Sequence, residues 1–544
     1  MSNKLKKLNK PSRYFAILSG ILVGALTALC QDAFAADWPR WGGRPDCNMV
    51  SAETGLPATF MPGEKDPQRS SILMATTKNV RWAVRLGSYA YGNPVVARGR
   101  VIVGTDVKTL ADDPRFNYTR GGLVKCLDEA TGKLLWQLVT PERKQLPAGM
   151  HFSQQQLGTC SSALIEGDRV YVLSSAAEVL CLDLLGQSNG NQGPFQDEGQ
   201  YMAGEGNPPV PVIATDADIL WRYDLIKESG IYIHDAASCS VLMHGDFLYV
   251  TTANGVNGGH KVKLAPNAPA LVVLDKNTGK LVAREHEGIS ARLFHAQWSS
   301  PSQGSVNGRP LIFLGGDDGI CYAFEALDKA GPGVTDLKKV WVYDCNPPEF
   351  RVEEGAPISY FRGDKRKKES TNKNDGTYVG PSDIIATPVF CQNRVYVGIG
   401  QDPAHGRGRG MFHCIDATKT GDITASGCVW RFAGIERSLA TAAVADGLVY
   451  VTDLAGKLYC LDAATGKCLW TYITDTETWG GPLVADGKLY FCNKKGLHIL
   501  RAGRELTVLD KVRLGAPAYG TPVPANGTLY VTSQSYLWAV TAKP

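Results

Sequence analysis

One pattern of apolar and polar positions recurs along this chain. Its cleanest copy opens with small apolar residues, Thr441-Ala-Ala-Val-Ala, and breaks at Asp446-Gly447. Apolar residues then flank a tyrosine in Leu448-Val-Tyr-Val, and Gly456 makes the next break. Lys457-Leu-Tyr-Cys-Leu-Asp runs into Thr465-Gly466, and the copy closes on Lys467-Cys-Leu-Trp. Short apolar runs separated by Asp-Gly and Thr-Gly turns predict four antiparallel strands joined as hairpins. Four such strands in about forty residues predict one blade of a β-propeller.

Aligning the copies on the residue eight before the second-strand tyrosine, or its equivalent, gives anchors at Pro94, Ala163, Val241, Pro301, Pro388, Ala442, Pro482 and Pro522. The expected fold is therefore all-β, an eight-bladed propeller of four-stranded antiparallel blades over residues 80–544. The last copy holds only three strands, ending at Tyr536-Leu-Trp-Ala-Val. Val80-Arg-Trp-Ala-Val-Arg, before the first anchor, supplies the missing fourth, so an N-terminal strand is expected to join the last blade and close the ring. On that alignment Trp82, Trp136, Trp221, Trp341, Trp430 and Trp470 occupy equivalent outer-strand positions and are expected to wedge between blades. Blade three has Ala283 there, and blade seven has no match. Residues 36–79 form an N-terminal extension expected to pack on the outside or one face of the ring. Residues 186–218, rich in Gly, Gln, Asn and Pro, read as a long mobile excursion.

The register also predicts what lines the central channel. One residue before each anchor stand Asn93, Ser162, Ser240, Ser300, Thr387, Thr441, Gly481 and Thr521, all small, as crowding at the axis demands. Three before stand Tyr91, Cys160, Ser238, Trp298, Ile385, Leu439, Trp479 and Tyr519. Five before, on consecutive blades, stand Asp383, Arg437 and Glu477. These three with Trp298, Trp479 and Tyr519 are the candidate ligand-binding set at the channel mouth, against the alternative of a structural ion-pair belt. No catalytic residue is assigned. His151, His234 and His295 lead into blades two, three and four and would suit a metal. Their spread along the chain argues against that, and no metal site is expected.

Composition changes the picture at the N-terminus. Lys4, Lys6, Lys7, Lys10 and Arg13 precede an apolar run from Phe15 to Leu29, and Ala33-Phe-Ala35 follows. That is the layout of an export signal over residues 1–35, cleaved after Ala35. The run is too short to span a bilayer. A lipoprotein at Cys30 is disfavoured by the bulky Leu29 before it. The whole chain has 57 basic and 53 acidic residues; without the five basic residues of the signal and Asp32 the numbers are 52 and 52. A near-neutral mature chain offers no electrostatic case for nucleic acid. A periplasmic or secreted monomer without a transmembrane segment is expected. The basic stretch in 362–380 reads as a solvated loop. Of fourteen cysteines, Cys126, Cys181, Cys414 and Cys460 sit two before the repeat aspartate, and Cys428 and Cys468 two before the tryptophan. Equivalent positions in different blades lie too far apart for a disulfide, so buried thiols are expected.

The phrase Leu-Asp-x-x-Thr-Gly-Lys-x-x-Trp, at Leu127–Trp136 and Leu461–Trp470, resembles the repeat of the pyrroloquinoline-quinone (PQQ)-like propeller family with its tryptophan-docking motif. Leu274–Ala283 departs only at the tryptophan. Asp37-Trp-Pro-Arg-Trp-Gly-Gly, followed by Glu53-Thr-Gly-Leu-Pro, resembles the opening of exported members of that group. The resemblance implies two function classes: a non-catalytic envelope scaffold of the BamB kind, binding other envelope proteins or a small ligand, or a PQQ-dependent dehydrogenase oxidising an alcohol or sugar. A surface or polysaccharide-binding module lies between them. Dehydrogenases of the family carry a vicinal cysteine disulfide, a calcium ion and an aspartate base. No adjacent cysteine pair occurs here, so the scaffold is favoured and no cofactor is expected, with PQQ and calcium the alternative.

Overall fold

The computed structural model describes residues 36–116, 120–353, 381–406, 408–474 and 476–542, with short backbone pairs at 356–357, 361–362 and 365–366. The signal read over 1–35, including Cys30, and most of the basic stretch in 362–380 lie outside the described residues. Among the described residues no helix is long and apolar enough to cross a membrane.

Eight four-stranded antiparallel units form the ring. Blade six shows how the repeat folds. Its strands are Ala443–Ala445, Leu448–Thr452, Lys457–Asp462 and Cys468–Ile473, innermost to outermost. Asp446 and Gly447 both take positive φ, 51° and 74°, the primed turn that matches the twist of a two-residue hairpin. One row of paired residues crosses the blade: Ala443, Tyr450, Cys460 and Trp470. In the last blade the outermost strand is Val80–Arg85, with Trp82 opposite Ala539 and Arg85 opposite Tyr536.

The tryptophans join neighbouring blades in a constant geometry. Each indole N–H donates to a carbonyl in the turn before the next blade's outer strand. Trp82 reaches Glu129 at 2.9 Å, Trp136 reaches Leu184 at 2.9 Å, and Trp221 reaches Lys276 at 3.1 Å. Trp341 reaches Ala417 at 3.3 Å, Trp430 reaches Ala463 at 3.0 Å, and Trp470 reaches Gly503 at 3.0 Å. Under Trp82, Trp136, Trp221 and Trp430 lies a turn glycine, Gly132, Gly186, Gly279 or Gly466. A Cβ on Gly132, which holds φ 70°, would stand 2.7 Å from Trp82. The residue paired with each tryptophan is small: Cys126, Cys181, Ala323, Cys414, Cys460 or Ala539. Ala283 and Asp510, which replace the tryptophan in blades three and seven, instead face the larger Val273 and Ile499. The repeat cysteines are thus small apolar fillers. Burial pushes the Cys126, Cys181, Cys414 and Cys460 thiols up to about 12, so they stay neutral. Cys428 and Cys468 depart from the expectation: Cys428 is exposed and Cys468 half-buried.

Both blades without the tryptophan receive other cover. The long connection of blade four lays Thr335–Asp336 in parallel on Ala283–Arg284 and buries Leu337 beside Ala283. Over blades seven and eight runs the N-terminal extension. Tyr490 donates to Pro57 at 2.9 Å, Trp538 to Pro62 at 3.0 Å and Tyr536 to Ser70 at 2.6 Å. The 186–218 segment does not hang free, contrary to expectation. It carries a helical turn at Glu198–Ala203, hydrogen-bonds Gln137 through Thr215 and Ala217, and fixes buried Asp216 on Arg115 at 2.6 Å. Its polar composition is spent on internal hydrogen bonds.

Residues 36–53 circle one face of the ring and touch every blade in turn. Trp38 pairs with Val96, and Pro39 accepts from Ile165. Arg40 donates to Met243, Pro45 accepts from Gln303 and Asp46 from Phe390. Asn48 exchanges two bonds with Val444, Met49 and Ser51 bracket Val484, and Glu53 accepts from Gly527. The belt closes on itself where Ala36 N meets Glu53 Oε1 at 2.6 Å.

Trp136→Ala should cost about 3–5 kcal/mol, from the cavity and the lost inter-blade bond, and is read as a lowered denaturation midpoint with unchanged m. His413 offers a pH test. It lies buried between blades four and five, 3.2 Å from the Tyr343 hydroxyl and 2.8 Å from the Cys345 carbonyl. Burial lowers it from 6.5 to about 4. Its folded form stays neutral while the unfolded chain takes up a proton below 6.5, so stability falls as pH drops from 6.5 towards 4, by up to about 3 kcal/mol. His413→Gln should flatten that part of the profile relative to wild type.

Candidate functional site

The channel is lined as the register predicts. All eight residues one before the anchors, and all eight residues three before, line a single cavity of about 170 Å³ on the axis. The small residues also hydrogen-bond around the ring. Backbone N–H groups of Thr521, Asn93, Ser162 and Ser240 donate to the side chains of Asn93, Ser162, Ser240 and Ser300, at 2.9–3.1 Å. The lower end is shut by Trp41 of the belt, whose indole donates to Thr387 Oγ1 at 3.0 Å.

The aromatic residues are distributed unevenly. Trp479, Tyr519 and Tyr91, on blades seven, eight and one, stack together, the first two with ring centres 3.9 Å apart. Burial raises Tyr519 to about 12 and raises Tyr91 further, so both stay neutral. Trp298 lines the opposite side and donates to Ala236 O at 2.9 Å. These three of the six expected site residues thus share one cavity.

The acid–base–acid set divides. Asp383 and Arg437 are fully buried, whereas Glu477 pairs with Lys494 at the surface. A second carboxyl, Asp317, takes the place expected for Glu477. Burial first, then the Asp317 charge, pushes Asp383 well above the usual carboxylate range, with the Arg437 charge opposing. Burial raises Asp317 as well. Glu477 falls out because Lys494, from the hairpin of its own blade, is a nearer cation that leaves both groups partly in water.

The histidines converge. His234 leads into blade three and His295 into blade four, and their ring centres lie 4.3 Å apart. His260, from the loop between the second and third strands of blade three, stacks on His295 at 5.0 Å. His405, from the corresponding loop of blade five, lies 4.7 Å from His295. His151 stands 5.0 Å from His234 on the other side, with Nε2 3.3 Å from Asp235. The wide spacing in sequence did not keep these residues apart, because both kinds of loop open on the same face. His260 and His405 were missed: each lies in a loop outside the repeat phrase, and only the rule that these loops share a face would have found them.

The axial channel offers little room for the quinone of the resembling dehydrogenases. Its volume is below the ~300 Å³ at which ligand pockets begin. Its described lining holds no charged side chain to meet the carboxylates of PQQ or to ligate calcium. The cysteines among the described residues are free.

A family model described as outer membrane protein assembly factor BamB matches residues 65–194 and 415–513. No curated protein sequence matches the chain. Among solved structures, BamB from Moraxella catarrhalis is 14% identical over 85% of this chain and 97% of its own, with a TM-score of 0.49. Quinohemoprotein alcohol dehydrogenase from Comamonas testosteroni is 14% identical over 94% and 81%, with a TM-score of 0.45. A europium-containing methanol dehydrogenase is 12% identical over 91% and 89%, with a TM-score of 0.46.

Trp41→Ala should open the closed end of the channel. The expected cost is about 3 kcal/mol, with faster amide exchange along residues 37–53 than in the outer strands, read by hydrogen–deuterium exchange. The strand order shows an eight-bladed β-propeller, and two stretches of its repeats are similar to the BamB family model.

Proposed function

We propose that this chain is an exported, non-catalytic propeller that scaffolds protein or ligand contacts in the cell envelope. The observation that carries the reading is the narrow channel: the belt spans all eight blades, Trp41 covers one end of the axis, and about 170 Å³ without charged lining remains. A quinone dehydrogenase needs room for cofactor and substrate together. Contacts are then left to the opposite face, where the loops of blades three to five present histidine and carboxyl groups. The match to an outer-membrane assembly factor supports protein partners. Polysaccharide binding is less well served, because it wants open ring faces and Trp479 and Tyr519 cover each other.

The belt also supports export. Ala36 N lies 2.6 Å from the largely buried Glu53 carboxylate. A chain cut after Ala35 would place its new ammonium group on that carboxylate, a charge-assisted bond stronger than the amide bond it replaces.

The purified mature chain, given PQQ and Ca²⁺, should show neither stoichiometric quinone absorbance nor dye-linked oxidation of alcohols and sugars. Quinone binding with turnover would overturn the scaffold reading.

A further inference from the structure

We propose that His234, His260, His295 and His405, with Asp402, form a binding site for a divalent late transition-metal ion such as Zn²⁺, at the open mouth between blades three and five. The proposal stands independently of the scaffold reading.

The donor atoms are already close. One nitrogen from each of His234, His260 and His295 lies within 4.8 Å of the others, and so do donor atoms of His295, Asp402 and His405. His260 Nε2 and His295 Nε2 are 3.1 Å apart. Two nitrogens on one tetrahedral zinc, at about 2.0–2.1 Å each, stand about 3.3 Å apart. The central pair therefore has the spacing of two ligands on one ion. The two trios share His295, which makes it the centre of the set.

The rings are oriented from behind. His234 Nδ1 lies 2.7 Å from the Val256 carbonyl, so that nitrogen donates and Nε2, 3.6 Å from Asp235 Oδ2, is the one left to meet a metal. His405 Nδ1 lies 3.3 Å from Gln401 Oε1, and Gln401 is itself tied to Pro381 at 2.9 Å. A carbonyl or amide oxygen on the far nitrogen is the usual support of a ligating imidazole. His295 is held through its backbone N–H, which donates to Asp317 at 2.6 Å. Asp402 caps its own turn with one oxygen, on Ala404 N at 2.7 Å, and turns the other towards His295 at 4.0 Å.

Burial and chemistry point the same way. His234 and His295 are buried, while His260 and His405 are half-buried and give the ion a route from solvent. Neutral imidazoles are metal ligands, and a nitrogen-rich set with one carboxylate selects zinc, copper or nickel over calcium and magnesium. Asp235 and His151 lie beyond His234 and outside the proposed coordination.

The test uses the mature chain, stripped with chelator and titrated with ZnCl₂ by calorimetry, with Co²⁺ as spectroscopic probe. The expected result is one equivalent bound, a thermal midpoint raised by about 5 °C or more in saturating Zn²⁺, and visible cobalt bands that are absent without the protein. His260→Ala and His405→Ala lie on loops away from the strands, and each should weaken binding at least tenfold with unchanged circular dichroism. His244→Ala, on an inner strand of blade three away from the cluster, should bind as wild type. No saturable binding would overturn the proposal. So would affinity unchanged in both loop variants, or lost equally in His244→Ala.

Discussion

Eight strands meeting at one axis leave no room for large side chains, and every other feature accommodates that crowding. The innermost ring is built of serine, threonine, asparagine and glycine, and backbone N–H groups donate across blade boundaries to the neighbouring side chains. A hydroxyl here fills little volume and satisfies an amide that would otherwise be buried without a partner. In six blades the paired row ends outward in a small residue beneath a tryptophan.

The outer rim tolerates variation that the axis does not. Where tryptophan is replaced by Ala283 or Asp510, the residue it would cover enlarges to Val273 or Ile499, and other chain covers the gap. Three outer edges gain backbone partners from the next blade's connection, at 215–217, 335–336 and 421–422. Covered edges do not recruit other chains. The extension 36–79 serves both ends of this scheme, as a belt at one face and as a cover over blades seven and eight.

The two faces consequently differ. Belt and Trp41 close one. The other keeps an aromatic sector on blades seven, eight and one, and a histidine and carboxyl sector on blades three to five. Side chains deliver this division, since the backbone frame is nearly the same in every blade. Buried Asp383, Asp317 and Arg437 form a polar base beneath the histidines, and Asp317 holds His295 in place through its backbone.

The blade count, the ring closure by Val80–Arg85, the tryptophan positions and both rings of channel residues were legible in the sequence. These follow from a repeat whose period fixes which side chains face the axis. Trp298, Trp479 and Tyr519 were found by the same register. Glu477 pairs with Lys494 rather than Arg437, because a register says which residues share a level but not which cation lies nearest. The histidine cluster, the order in 186–218 and the path of the belt were decided only by the tertiary structure. His151, His234, His260, His295 and His405 come from loops of different blades, and only the closing of the ring brings those loops to one mouth.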